Sequence, residues 1–318
     1  MTARATDWDP RHLPDLTGRR YLVTGSTAGI GYFACEQLAR AGAHVIATGR
    51  NPNRLAATKR ALLGRVPGAS VETLLIDTSN LGSVRAAAAT VRASDGLDGL
   101  LLNAGIVHPP KRRETTLDGN EVVFATNALG HFALAGELLV PLAQRSGRMV
   151  WVGSMATTIA PYDPVDPQLK ENYSPWRAYA QSKVATTALG LEAARRLADA
   201  HVPVASLVAH PGYSIGGRTP GIEGVHEPTR LTRFADNLQA PFTQSKERGA
   251  WPLVRALADP AAASGDFWGP RGLVKGTPRR ARPSRITRDP EIGARLWSFC
   301  EESARVEWPF ARAARVSG

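Results

Sequence analysis

Tyr179 and Lys183 stand four residues apart in the run Tyr-Ala-Gln-Ser-Lys. On a helix that spacing puts a phenol and an ammonium on one face. A free phenol titrates near pH 10 and is a poor proton donor or acceptor at neutral pH. A cation beside it stabilises phenolate and lowers that value. The pair could then give a proton to a carbonyl oxygen, or take one from an alcohol. Taken alone, Tyr-x3-Lys on a helix is common. A second run, Thr24-Gly25-Ser26-Thr27-Ala28-Gly29-Ile30-Gly31, joins a short apolar stretch to a helical one. Glycines spaced Gly-x3-Gly-x-Gly allow a tight turn and close backbone approach to a phosphate. The helix behind them offers free N–H groups and the positive end of its dipole. A glycine loop also ends strands for purely structural reasons, so its context decides.

That context is a repeat of apolar strand, turn and amphipathic helix. Strands are expected at 20–24, 43–48, 70–76, 98–102, 147–153 and 203–209, with a short seventh at 266–268. Helices are expected from the glycine loop to about 41, at 52–64, from Asn80 to 93, at 120–144, 175–200, 244–258 and 289–304. Alternation at this spacing predicts an α/β fold. It is a single doubly wound Rossmann-type domain, with a parallel sheet of six to seven strands and helices on both faces. Residues 1–17 read as a tail and 18–318 as the domain. Within it, 212–243 read as a lid with one or two short helices, and 270–318 as a C-terminal extension whose 270–288 part is irregular.

Composition excludes other classes. The 318 residues are 43% hydrophobic and 21% charged, which is globular rather than disordered or fibrous. No apolar run approaches about 18 residues, so no transmembrane segment is expected. The polar N-terminus lacks a secretory h-region. Cys35 and Cys300 read as buried free thiols in a reducing cytoplasm. No His/Cys/Asp cluster has metal-ligand spacing, so no catalytic metal is expected. The net charge is +11, of which residues 271–288 supply seven and no acid. That segment has no interleaved aromatics, and the arginine bias reads as genome composition, so nucleic acid is not an expected partner.

The end of the second strand selects between dinucleotides. It reads Thr48-Gly49-Arg50-Asn51. An acid there would bond the adenosine 2′-OH of NAD; none is present. Arg50 offers a bidentate fork for a 2′-phosphate, with Asn51 beside it and Arg54 one turn on. NADP(H) is therefore expected.

Asn103-Ala104-Gly105, Asn127, Ser154, Tyr179, Lys183 and Pro211-Gly212 follow the glycine loop in order. At this point the sequence resembles the short-chain dehydrogenase/reductase family over about residues 18–270. The resemblance implies that Gly25, Ser26, Thr27, Gly29, Ile30 and Gly31 bind the cofactor pyrophosphate. It implies that Asp77, with Thr78, meets the adenine, and that Asn103-Ala104-Gly105 lie beside the adenosine ribose. Asn127 would hold a proton-relay water with Lys183. Ser154 would orient the substrate carbonyl and Tyr179 would be the acid/base. Lys183 would bond the nicotinamide ribose and lower the tyrosine pKa, and Pro211-Gly212 would flank the nicotinamide.

Two departures stand out. The family often has Ser or Thr four residues past the Pro-Gly glycine; here that position is Gly216, with Ser214 or Thr219 as substitutes. Ser154 and Tyr179 are also 25 residues apart, an insertion beside the site. The insertion, with FWGPRGL and ARLWSFCEE, resembles the branch of retinol dehydrogenases, protochlorophyllide reductases and WW-domain oxidoreductases. That branch's Ser-Ala-His after the catalytic serine is replaced by Met155-Ala156-Thr157, which argues against retinoids. Met155, Ile159, Tyr162, Trp176, Tyr213 and Ile215 are apolar residues in segments that border the pocket, and fit a bulky lipophilic carbonyl or alcohol. His131 reads as structural or at an interface, His210 as a satisfied strand-end histidine, and Trp151 and Trp297 as core. The expected function is NADPH-dependent reduction of such a ketone or aldehyde, or the reverse. A C=C reductase on the same fold and a non-catalytic NADPH-binding regulator are the alternatives. The long helices at 120–144 and 175–200 resemble those used for family homodimers, which the C-terminal extension could block.

Overall fold

Four-residue to six-residue runs flanked by turn residues build the centre of the molecule. The computed structural model describes residue 9 and residues 12–159 and 162–316. Residues 160 and 161 of the expected insertion, and most of the first eleven residues of the expected tail, lie outside that range. In chain order the first half comprises β1 (Arg20–Val23), α1 (Gly29–Arg40), β2 (His44–Gly49), α2 (Pro52–Arg65), β3 (Ser70–Leu75), α3 (Leu81–Arg92) and β4 (Gly99–Leu102). Then come α4 (Val122–Phe124), a π turn (Ala125–Leu129), α5 (Gly130–Glu137), α6 (Leu139–Ala143), β5 (Arg148–Val152), α7 (Pro175–Asp199) and β6 (Ala205–Ala209). The remainder holds β7 (Ser214–Ile215), α8 (Arg230–Leu238), β8 (Gln244–Ser245), α9 (Lys246–Gly249), α10 (Trp251–Ala258), β9 (Phe267–Pro270), β10 (Pro278–Arg280), α11 (Pro290–Ala304) and α12 (Phe310–Arg315).

One sheet has the order β10-β9-β6-β5-β4-β1-β2-β3. Its inner seven strands are parallel, while β10 runs antiparallel to β9 at the edge. The sheet thus has eight strands, not six or seven, and 278–280 is strand rather than irregular. Pro278 is tolerated because an edge strand need not donate every ladder bond, and the exposed Arg279 and Arg280 discourage further pairing.

Alternation across the pleat sorts the core into two layers. Leu22, Leu100, Leu102, Met149, Trp151 and Val208 face α3, α5, α7 and α11. Tyr21, Val23, Leu101, Val150, Val152 and Leu207 face α1, α2 and α10. Leu16, inside the expected tail, joins the second layer, and its N–H bonds the Ala41 carbonyl at 2.7 Å. Helix starts follow local chemistry. Asn51, Asn80, Ser174 and Asp289 cap α2, α3, α7 and α11, and proline opens three of these four. The helix expected over 120–144 is instead broken into α4, the π turn, α5 and α6. Cys35 and Cys300 are buried free thiols. Among the described residues no helix is long and apolar enough to cross a membrane, and no His/Cys/Asp/Glu group could hold a metal.

Candidate active site

The carboxyl ends of the parallel strands gather the residues singled out above, as expected for an open α/β sheet. The glycine loop leaves β1 and is pressed against the loop after β4. A Cβ on Gly25 would lie 2.7 Å from the Ala104 Cα, and one on Gly31 2.4 Å from the Gly25 carbonyl oxygen, so neither position admits a side chain. Asn103 Nδ2 donates to the Thr24 and Gly25 carbonyls at 2.9 and 3.3 Å. Ser26 is buried and its hydroxyl donates to the Thr48 carbonyl at 3.0 Å, tying the loop to the end of β2. Thr27 packs where Gly49 leaves room. The cap residue of α1, Ala28, gives no side-chain bond to the first-turn amides. A backbone cradle without side chains, in front of uncapped amides, fits a dinucleotide pyrophosphate.

Around that cradle the expected contacts divide. Arg50 and Arg54 are exposed at the end of β2, and Asn51 Oδ1 is taken up in capping α2 through the Arg54 N–H. Asp77 accepts from Ser79 N and Oγ at 3.0 and 2.7 Å, and Thr78 beside it is buried. Gly105 and Ile106 meet Asn127, whose Oδ1 accepts from Ile106 N at 2.7 Å. After β6, Pro211 is held by Ser214 Oγ and Gln244 Nε2, which both donate to its carbonyl, at 2.9 and 2.8 Å. Gly212 has φ +65° and lies against the Val274 carbonyl. Thr219 is buried, bonded to the Ile215 carbonyl and accepting from Lys246 N, so its hydroxyl points into the lid rather than the cleft.

The candidate reacting groups sit on the turn after β5 and on α7. Tyr179 Oη donates to Ser154 Oγ at 3.2 Å. Burial raises the phenol above its ordinary value, against the opposing effect of the Ser154 bond. Lys183 is buried and donates to the Val152 carbonyl at 2.8 Å, and burial pushes its pKa down to about 8. In this geometry the ammonium is turned to the main chain. Asn127 lies in the π turn. Its Nδ2 donates to Ser182 Oγ at 2.9 Å, and its carbonyl accepts from Thr186 Oγ1 at 3.0 Å and faces His131 Nδ1 at 3.1 Å. Through the Ile106 and Ser182 bonds its side chain joins the β4 loop to α7.

Of the apolar residues expected along the pocket, Met155 opens the short turn after Ser154 and Ile159 lies exposed beyond it. The Trp176 ring, half exposed, is 6.3 Å from the Tyr179 ring. Tyr213 bonds Gln239 of the lid at 3.0 Å, and Ile215 pairs with Ser245 between β7 and β8. Tyr162 is the exception. It packs against the hydrophobic core near Cys300 and does not line the cleft.

Sequence reading missed two residues and the partners of a third. Lys246 Nζ lies 3.8 Å from where a Cβ on Gly29 would be, so a cation from the far side of the lid stands over the glycine loop. Burial lowers its pKa, with Asp236 acting in the opposite sense. Gln181, inside the Tyr-x3-Lys run, holds the insertion by bonds to Asp163 and Asp166. His131 joins Asn127 to Thr24 Oγ1, which also accepts from Asn103 N and Ala104 N. No local pattern marks these roles; only the fold brings their partners together.

A Rossmann sheet with a glycine cradle, and a Ser-Tyr-Lys group at the neighbouring strand end, defines a dinucleotide-dependent oxidoreductase. The family model described as short chain dehydrogenase matches residues 19–214, and the chain belongs to this NAD(P)-binding family, in its retinol dehydrogenase-like branch. Polyprenol dehydrogenase of Mus musculus is 34% identical over 300 residues, covering 92% of this chain and 85% of its own length. Retinol dehydrogenase 13 of Homo sapiens is 31% identical over 306 residues, again covering 92% and 85%. The crystal structure of an uncharacterized protein from Mycobacterium Paratuberculosis covers 96% of this chain and 100% of its own, with 32% identity and a TM-score of 0.77.

Proposed function

We propose that the protein is an NADPH-dependent reductase of bulky lipophilic ketones or aldehydes, with Tyr179 as the proton donor. The observation that carries this reading is the 3.2 Å bond between Tyr179 Oη and Ser154 Oγ, with Lys183 one helical turn away. When bound, the dinucleotide supplies the hydride. Ser154 and Tyr179 are placed to share one carbonyl oxygen, Ser154 orienting it and Tyr179 delivering the proton as negative charge develops. A phenol held above its ordinary value stays protonated at neutral pH, which favours reduction. Turning Lys183 from Val152 toward the phenol would favour phenolate and the reverse direction.

Arg50 and Arg54 support NADPH, because they are exposed where a 2′-phosphate would lie and no acid stands. Lys246 supports dinucleotide binding in general, as a cation for the pyrophosphate. Met155, Ile159, Trp176 and Tyr213 support a lipophilic substrate, and the relatives' names, polyprenol and retinol dehydrogenase, point the same way. The two buried thiols suit a reducing cytoplasm.

Two variants test the site with opposite signatures. Tyr179→Phe should lose about 10²- to 10⁴-fold in turnover while binding NADPH within about twofold. Lys246→Met should weaken NADPH binding by about tenfold while keeping turnover at saturating cofactor. Products identified by NMR separate C=O from C=C reduction. Retained turnover in Tyr179→Phe would overturn the mechanism.

A further inference from the structure

Among the described residues, none covers one face of helix α8. Leu231, Phe234 and Leu238 fall at i, i+3 and i+7, on one side of the helix, and Phe242 follows in the next turn. All four are between 66% and 77% exposed, and no residue of α8 is buried. The helix is nonetheless anchored. Thr229 caps it, and on its other side Asp236 accepts from Gly217 N at 2.5 Å. Its apolar row is therefore held outward, and a contiguous exposed apolar patch of this kind marks an interaction site.

The rim of the row is basic. Arg230 and Arg233 belong to α8 itself. Arg218 Nη1 and Lys275 Nζ both donate to the Ala240 carbonyl, at 2.7 and 3.3 Å, placing two more cations at the foot of the row. Lys275 lies in the segment 271–288, which has seven basic residues and no acid, and Leu273 beside it is half exposed. The single acid of α8, Asp236, is the residue turned inward. Tyr213 joins the patch to the cleft by its bond to Gln239.

An outward apolar row bordered by cations is complementary to one kind of surface, the headgroup boundary of an anionic bilayer. Apolar side chains enter the acyl region there, and the cations meet phosphates. A second copy would set the same basic rim against itself. We propose that α8 and the turn after it dock the protein on anionic membranes, with the mouth of the Tyr179 cleft at the lipid. The proposal stands whatever the substrate proves to be.

Flotation of the full chain with vesicles of phosphatidylcholine, with and without about a third phosphatidylglycerol, tests it. Binding to the anionic vesicles is expected, and it should fall with added salt. The double variant Phe234→Glu/Leu238→Glu should reduce it at least about tenfold, with circular dichroism, melting and NADPH binding unchanged because both side chains are exposed. No binding to anionic vesicles would overturn the proposal. So would binding that the double variant leaves intact, which would assign attachment to the 271–288 charges alone. A native dimer that the variant dissociates, without vesicle binding, would make the row a contact between copies instead.

Discussion

His131 is fully buried between Thr24 and Asn127, and its tautomer follows from its neighbours. The Asn127 carbonyl can only accept, so Nδ1 carries the proton and Nε2 faces the Thr24 hydroxyl. Burial lowers its pKa to about 3, and that of His210, stacked on Phe267, to about 4. Unfolded imidazoles take a proton near pH 6.5, which these two refuse while folded. The unfolded state therefore binds more protons below that pH, and stability falls as pH drops through 6.5 toward 4. Each histidine should cost about 2 kcal/mol of stability by pH 5. Urea midpoints at pH 7, 6 and 5 would show that decline, and a flat profile would contradict it. At this scale the grouping of Tyr179, Lys183, Ser154 and the glycine loop as a candidate site was legible, because each is marked by residue type and a short spacing. It did not reveal Lys246 over Gly29 or Thr24 against His131, pairs separated by more than a hundred residues. Tyr162 and Thr219 misled because an apolar or hydroxyl residue near a motif does not say which way it points.

Among the elements, the strands were legible nearly to the residue, because fully buried parallel strands are short apolar runs bounded by turns. The helix expected over 120–144 was less so. Its apolar pattern is continuous, but the π turn over Ala125–Leu129 shifts register just where Asn127 must reach Ile106 and Ser182. Gly130 ends that turn against β3's following loop. A Cβ there would lie 1.9 Å from the Thr78 carbonyl oxygen, with no flexible side chain to yield. Gly130→Ala should thus destabilise the fold by about 3 kcal/mol, despite alanine's better helix propensity. A lower urea midpoint would register it; an unchanged or higher midpoint would show that α5 can move away from Thr78. The β10 strand escaped reading because a Pro/Arg-rich run carries no strand signal away from a sheet edge.

Across the whole molecule, the C-terminal extension is part of the body rather than an appendage. It adds β10 to the sheet and lays α11 on α7 and α5, with α12 on α6. Trp297 and Trp308, 4.6 Å apart, close over Phe132 of α5. The helices over 120–144 and 175–200, which resemble those used for homodimers, thus carry part of the chain's own C-terminus. Composition foresaw a basic segment, but only the fold places part of it beside the exposed row of α8. The same assembly sets Lys246, from beyond the lid, over Gly29, while Arg50 stands exposed just after β2. Their joint meaning is tested most directly by fluorescence titration of the purified protein with NADPH and NADH side by side. A charge-assisted contact to the 2′-phosphate predicts NADPH tighter by about tenfold or more. Equal or tighter binding of NADH would contradict the Arg50 reading, and binding of neither would contradict the account of the site as a whole.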